Sequence, residues 1–301
     1  MSSTPIPEAK LTSQPGAAPV PLHPPQRSIT RRRLILTFRN PIVLIGLVII
    51  LFWVLMALVG PSLRPYDYTD MVATPWTPPS GEYWLGTDRL GRDMFARLAV
   101  GARLMLVLPT AAVILGVGLG TTIGLVTGYF GGLVDDIVMR LMDIVMAFPV
   151  LMLYLLVIYA IGPSAINVIW AIGIGATPGI ARLVRGLTLE IRSREFVAAA
   201  QMRGESSWYI MFGEILPNLS GPIVVDACIR VAFAMFTTGF LGFLGLGVPA
   251  PTPDWGTMIN EGRTWIFSVP WAPVFPMIGI TSLVLAFNLI ADGLRQAGWV
   301  D

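Results

Sequence analysis

Lysine, histidine and cysteine are almost missing from this sequence, and each shortage removes a class of chemistry. Lys10 is the one lysine, and the other nineteen basic residues are arginine. A phosphate-cradling P-loop sets a lysine behind its glycines to reach the β- and γ-phosphates, yet no lysine follows residue 10. A Schiff-base lysine is lacking in the same way. His23 is the one histidine and Cys228 the one cysteine, so His/Cys metal sites, Ser-His-Asp triads and disulfide frameworks have no support. No metal site and no catalytic constellation is expected. Charge is scarce too, at 13% of residues, about half the share in soluble domains. With 54% hydrophobic residues and a mean hydropathy of +0.72, the main solvent of this chain is lipid. The net charge of +2 gives no argument for nucleic acid, which is not expected as a partner.

What is plentiful is apolar sequence in long runs. Residues 1–33 are proline-rich and aperiodic, and read as a disordered tail. Arg31, Arg32, Arg33 and Arg39 then precede an apolar run at 41–60, long enough as a helix to cross a bilayer core of about 30 Å. Further runs follow at 104–127, 144–161, 165–181, 219–247 and 271–290, the fourth short and interrupted by Pro178. The expectation is an all-α polytopic membrane protein with six transmembrane helices. Keeping the arginine block inside puts both termini in the cytoplasm, with thirteen basic residues in inner segments and six outside. The chain then divides into the tail, a first helix and outer loop at 34–103, a core of five spans at 104–295, and a cytoplasmic end at 296–301.

Gly116, Gly120, Gly124 and Gly128 recur every fourth residue along the second run. In lipid no hydrophobic effect drives helices together, and such a groove lets two backbones approach. Packing within one bundle is the simpler reading, and lining a pore is the other. Asp226 and Arg230, four residues apart in the fifth run, should face protein or water and satisfy one another. Asp136, Arg140 and Asp143 form a similar ladder on an inner helix between the second and third runs.

Two outer loops are unusually specified. In the first, Thr87 or Asp88 can cap a helix from about Leu90, with Asp93 in its first turn, and Phe95, Leu98, Ala99 and Leu106 suit an interfacial continuation. In the second, three prolines precede Asp254 and Trp255, and Trp255 and Trp265 read as interfacial anchors. Asp88, Arg92, Asp93, Asp254 and Trp255 are the candidate docking residues for an extracytoplasmic partner; ordinary loop structure is the alternative.

The polar block at 188–217 is the least expected feature of so greasy a chain. Thr188 to Met202 reads as helix, with Ala198, Ala199 and Ala200 leaving it bald. Gly204 can turn it, a second helix from Ser206 to Glu214 has Trp208, Ile210 and Met211 to bury, and Pro217 ends that helix. Such a shape suits insertion into another protein's groove, or an ordinary inner loop.

The same block, "FVAAAQMRGESSWYIMFGEILPN", resembles the cytoplasmic coupling motif of binding-protein-dependent ABC importer permeases. Ala198 takes the place of the motif's Glu, Ala199 and Ala200 its alanines, Gly204 its glycine, and Leu216-Pro217 its end. Gln201 stands where an Arg is frequent, and Glu214 where a His is. Four further blocks, "WLGTDRLGRDMFARLAVGAR", "GYFGGLVDDIVMRLMDIVMAFP", "FLGFLGLGVPAPTPDWGTM" and "FPMIGITSLVLAFNLIADGLR", are similar to the C-type permease of dipeptide, oligopeptide, nickel and glutathione importers. The resemblance covers about residues 34 to 295. It implies a type I permease fold in a prokaryotic inner membrane, pairing with a homologous B-type permease. It also implies two cytoplasmic ATPases that bind ATP in this chain's stead, an extracytoplasmic binding protein, and no cofactor or catalysis in the chain itself. Peptides are the implied cargo, with glutathione or nickel chelates as alternatives. A secondary transporter or channel is the competing class; it would want an inverted repeat and unpaired intramembrane acids.

Overall fold

A computed structural model describes residues 36–299, and among these the chain is helical with no strand. The proline-rich tail and Arg31–Arg33 lie outside the described residues, as do residues 300 and 301. In lipid a backbone must bond to itself, so each apolar run closes its own ladder as a helix.

Helix α1 is Pro41–Val59, begun by Pro41 and capped by Asn40, whose side chain accepts from the Ile42 N–H at 2.9 Å. Helix α2, Met94–Phe130, runs 37 residues and passes through Pro109. Helices α3, Gly132–Met146, and α4, Val150–Ile161, meet at an 85° elbow. Helix α5 is Ala165–Ile191, capped by Ser164, and is continuous through Pro178. Helix α6 is Glu195–Met202, and α7 is the helical run Ser207–Phe243. Helices α8, Trp255–Gly262, and α9, Trp271–Gln296, complete the described chain. Five helices (α1, α2, α5, α7 and α9) are long and apolar enough to cross a membrane, and the bent pair α3–α4 makes a sixth when taken as one span.

Three expectations need correction. The run at 144–161 is not one helix, because the chain bends at Ala147–Pro149. Pro149 has no N–H to continue a ladder from α3, and instead stands as N-cap of α4. Span four does not stop at 181 but continues to Ile191. Nor is 188–202 one helix. Arg192 donates to the carbonyls of Gly128 at 3.0 Å and Tyr129 at 3.2 Å, tying the chain to the end of α2, and α6 sets off afresh from Arg194.

Helix α2 is the axis of the bundle, touching α1, α5, α7, α8 and α9, and its seam with α5 is the largest helix–helix interface. The four glycines lie on that seam. A Cβ at Gly116 would stand 2.9 Å from the Gly173 carbonyl oxygen, at Gly120 2.6 Å from the Ile180 Cβ, at Gly124 2.6 Å from the Ala181 carbonyl oxygen, and at Gly128 2.7 Å from the Thr188 Cβ. Each turn of α2 thus rests directly on α5 backbone or Cβ atoms, where dispersion is strongest.

The expected ladder of Asp136, Arg140 and Asp143 shows no ion pair within itself among the described residues: Asp143 pairs instead with Arg182 of α5 at 2.5 Å. Asp135, beside the ladder, takes a two-pronged bond from Arg185 of α5 at 2.5 Å. A bidentate cross-helix bond is worth more than an exposed pair, and the half-buried Asp135–Arg185 bond ties the elbow's first arm to α5, while the exposed Asp143–Arg182 pair adds little. Two apolar clusters fill the bundle. One gathers Trp53, Met105, Trp255 and Leu283, and the other Leu125, Val184, Val197, Met211 and Leu219.

Candidate functional site

The second cluster is where the polar block 188–217 is anchored. On α6, Val197 and Ala200 are fully buried, while Ala198 is exposed and Ala199 partly so. The three alanines therefore divide: Ala200 belongs to the core, and Ala198 and Ala199 leave a smooth outer face. Gly204 ends α6 with φ of +76°. Its N–H bonds the Gln201 carbonyl at 2.9 Å, and the Glu205 N–H bonds the Ala200 carbonyl at 3.2 Å. This is the Schellman arrangement, which needs a left-handed residue at the turn and so favours glycine. No atom lies within 4 Å of where a Gly204 side chain would begin.

Ser206 then caps α7, accepting from the Tyr209 N–H at 3.2 Å. Residues Ile210–Ile215 widen into a π-helical segment, in which the Leu216 N–H bonds the Met211 carbonyl. Pro217 does not end this helix, against expectation. It lies inside one run from Ser207 to Phe243, where the widened turn takes up the clash and the missing donor. Ile210 and Met211 are buried as expected, but Trp208 is 59% exposed and stacks on Phe212 at 5.8 Å. Met202, at the end of α6, is 84% exposed and is another uncovered apolar side chain of this segment. Glu214 turns back to Arg203, 3.3 Å away, which also reaches Glu205 at 3.7 Å, so that ion pairs brace the turn. Leu216 is partly buried against the cluster.

At the opposite end of the bundle the two specified loops close on each other. The helix expected from Leu90 begins instead at Met94, capped by Asp93, whose Oδ1 accepts from the Phe95 N–H at 3.1 Å. Phe95, Leu98 and Ala99 are buried within α2 and do not form an interfacial helix. Thr87 accepts from the Thr77 N–H at 2.8 Å and donates to the Thr74 carbonyl at 2.9 Å. Asp88 is only 2% exposed. Its Oδ1 accepts from the N–H groups of Leu90 at 2.7 Å and Arg92 at 2.9 Å, while its Oδ2 takes the guanidinium groups of Arg92 at 2.6 Å and of Arg97. Glu261 of α8 closes the cluster, 3.0 Å from Arg97 and 3.4 Å from Arg89. Arg64 pairs with Asp93 at 3.2 Å and lies over the rings of Tyr66 and Trp84.

Asp254 caps α8, accepting from the Gly256 N–H at 2.7 Å, and its carboxylate is clamped between Gly242 and Gly247. Trp255 is the largest correction. It is fully buried, its indole donating to the Leu98 carbonyl at 3.0 Å and its ring meeting Trp53 edge-on at 4.7 Å. Gly101 and Gly279 leave the room it occupies, whereas Trp265 is half exposed. The side chains of Asp88, Arg92, Asp93, Asp254 and Trp255 therefore point inward. They hold the loops in shape, and any docking surface is made by their neighbours. Sequence reading missed Arg64, Arg97 and Glu261 as members of this cluster, because Glu261 lies 164 residues from Arg97.

Burial pushes the Asp254 carboxyl above its usual range, against the bonds from Gly256, Val248 and Thr257. A carboxyl raised on folding costs stability while charged, and the cost is relieved as pH falls through its raised value toward the ordinary one. Asp254→Asn keeps the cap and removes the charge. Its melting temperature at neutral pH should equal or exceed that of the native chain, and the native chain should gain on the variant as the buffer is acidified. A large loss in the Asn variant at neutral pH would show that the charge itself is needed.

Residues 120–297 match the family described as binding-protein-dependent transport system inner membrane component, and residues 29–79 match the N-terminal transmembrane domain of oligopeptide transport permease C. A dipeptide transport system permease protein of Alkalihalophilus pseudofirmus is 40% identical over 260 residues, covering 86% of each chain. An oligopeptide transport system permease protein of Bacillus subtilis is 39% identical, covering 87% of each. A glutathione transport system permease protein of Pectobacterium atrosepticum is 37% identical over 293 residues, 96% of each. Helices enough for five or six spans, a glycine-zipped core and a polar block keyed into one end agree with that relationship. The chain belongs to the binding-protein-dependent transport system inner membrane components, and is a membrane-spanning permease of an importer.

Proposed function

We propose that this chain is one of two homologous permease subunits of an ATP-driven importer of peptides, and that its segment 188–217 is the seat of a partner ATPase. Two ATPase subunits bind and hydrolyse ATP, a binding protein delivers the peptide from the other side, and this chain catalyses nothing itself. Both termini and the 188–217 segment lie in the cytoplasm, and the Asp88–Arg97 end faces the binding protein.

The observation that carries the reading is the two-sided build of α6 and the start of α7. Val197, Ala200, Ile210 and Met211 lock the segment into the bundle, while Ala198, Met202, Trp208 and Phe212 are left uncovered. A short helix held this way passes motion from a docked partner to the bundle. Ala198, where the family motif has an acid, leaves shape rather than charge to make the contact.

A Cβ at Gly204 meets nothing within 4 Å among the described residues, so a side chain there projects into whatever covers the segment, at the cost of straining the left-handed turn. Gly204→Glu in the assembled transporter should cut binding-protein-driven peptide uptake by at least about tenfold (about 1.4 kcal/mol of coupling), with normal amounts of chain in the membrane. Gly204→Asn, which tolerates the left-handed turn, should largely retain uptake. Native uptake in the Glu variant would place the ATPase contact elsewhere.

A further inference from the structure

Arg230 is a charge in the wrong solvent. It lies at the midpoint of Leu216–Phe243, the α-helical part of α7, where a cation is costly unless it meets protein, water or a ligand. Asp226, one turn earlier, answers part of that need: its Oδ2 accepts from the Arg230 Nε at 2.5 Å. The two terminal guanidinium nitrogens have no acceptor among the described residues. They point toward α5, where a Cβ on Gly179 would stand 3.2 Å from both.

That space is a cavity of about 300 Å³ between α5, the α3–α4 elbow and Arg230. Met146, Val150 and Leu153 form its elbow wall, and Gly175 and Gly179 its α5 wall. Both walls are apolar, so the guanidinium is the polar group a ligand entering there would find. Arg230 lines the cavity, and its side chain and that of Asp226 are each one-quarter exposed, so the pair is not sealed in a core.

We propose that Arg230 binds a carboxylate of the solute in transit, the C-terminal carboxylate of a short peptide, in the cavity between the elbow and α5. The inference rests on the peptide reading given above for its ligand, but not for its anion selectivity. A guanidinium with Nε occupied still presents two parallel N–H donors on its free edge, the fork that matches a carboxylate. Asp226 fixes the fork's orientation and balances its charge when the cavity is empty. The bound carboxylate therefore faces a shared charge, so that it is held and then released, as passage requires. The volume lies at the small end of ligand pockets and fits a peptide terminus rather than a long chain.

The test uses the complete transporter carrying Cys228→Ser and Leu153→Cys, which leaves this chain one thiol, on the cavity wall, with labelling read on this chain alone after the subunits are separated. Anionic and cationic methanethiosulfonate reagents, the ethylsulfonate and the ethyltrimethylammonium, are compared in the absence of nucleotide. With each rate divided by that reagent's rate with a free thiol in solution, the anionic reagent should be favoured about tenfold over the cationic one, the local enrichment expected near a fixed opposite charge, and Arg230→Gln should erase the preference. Alanyl-alanine should slow the anionic reaction severalfold, and its C-terminal amide should not. Equal normalised rates for the two reagents, a ratio unmoved by Arg230→Gln, or equal protection by dipeptide and amide would each overturn the site. Uptake of dipeptide by the native complex separates the two readings. Without uptake but with charge-selective labelling, the peptide reading fails and the anion site stands; with uptake and no selectivity, the site alone fails.

Discussion

Gly124→Leu is expected to give a chain that reaches the membrane but cannot hold α2 against α5. A Cβ at Gly124 would lie 2.6 Å from the Ala181 carbonyl oxygen, 2.7 Å from the Val184 Cβ and 2.9 Å from the Arg185 nitrogen. Two of these are backbone atoms, which have no rotamer to escape into, so α5 itself must move. Overpacking a close-packed core costs about 1–3 kcal/mol even where side chains can give, and here the first atom added already collides. Gly118, two residues from the seam, is the control: nothing lies within 4 Å of its Cβ position. Gly118→Leu should be silent or gain from helix propensity, by about 1 kcal/mol. Thermal unfolding of the two variants in detergent, followed by size exclusion, compares them directly. Equal melting temperatures would mean that the seam is not what holds the bundle.

Asp88→Ala carries the second large effect. The substitution strips two backbone N–H groups and the guanidinium groups of Arg92 and Arg97 of their shared acceptor. Arg92 and Arg97 are both buried and, among the described residues, are left with Glu261 as their shared carboxylate. Removing one partner of a buried ionic group costs about 3–5 kcal/mol, because the remaining charges stay buried and uncompensated. The loops at this end should loosen, and proteolysis between residues 61 and 93 should accelerate while the membrane-embedded helices stay protected. Asp88→Asn keeps an acceptor for the N–H groups and should lie between the two. If the Ala variant resists protease like the native chain, the cluster is not the loops' fastening.

The sequence made the long apolar helices legible because lipid leaves so few alternatives: α1 was expected at 41–60 and spans Pro41–Val59. Gly204 was legible for a comparable reason, since a left-handed turn after an alanine run leaves few other residues. The elbow was not, because hydropathy counts apolar residues and carries no direction. Its one signal was Pro149, read as part of a span. Pro178 and Pro217 misled the other way, since a widened turn or a packed neighbour can absorb a proline that a bare helix could not. Trp255 was misplaced because tryptophan in a membrane protein is most often interfacial. What buries it is the pair of gaps at Gly101 and Gly279, which lie on two other helices. The ion cluster was half visible: Asp88, Arg92 and Asp93 stood out together, but Glu261 comes from the far side of the chain. The family motif marked 188–217 clearly, while which face of α6 is turned out needed the folded neighbours.

At about 1.5 Å per residue, the 37 residues of α2 measure roughly 55 Å, well beyond one bilayer core. Its first residue is capped by Asp93 beside the ion cluster, and its last carbonyls are held by Arg192 beside the 188–217 segment. The two outward-facing ends of the molecule are thus opposite tips of a single strut, clamped lengthwise to α5. A tilt imposed at one tip displaces the other in the opposite sense, with no messenger chain of side chains needed between them. The hinge for such a seesaw has to be sought around the strut, at breaks such as the 85° elbow of α3 and α4.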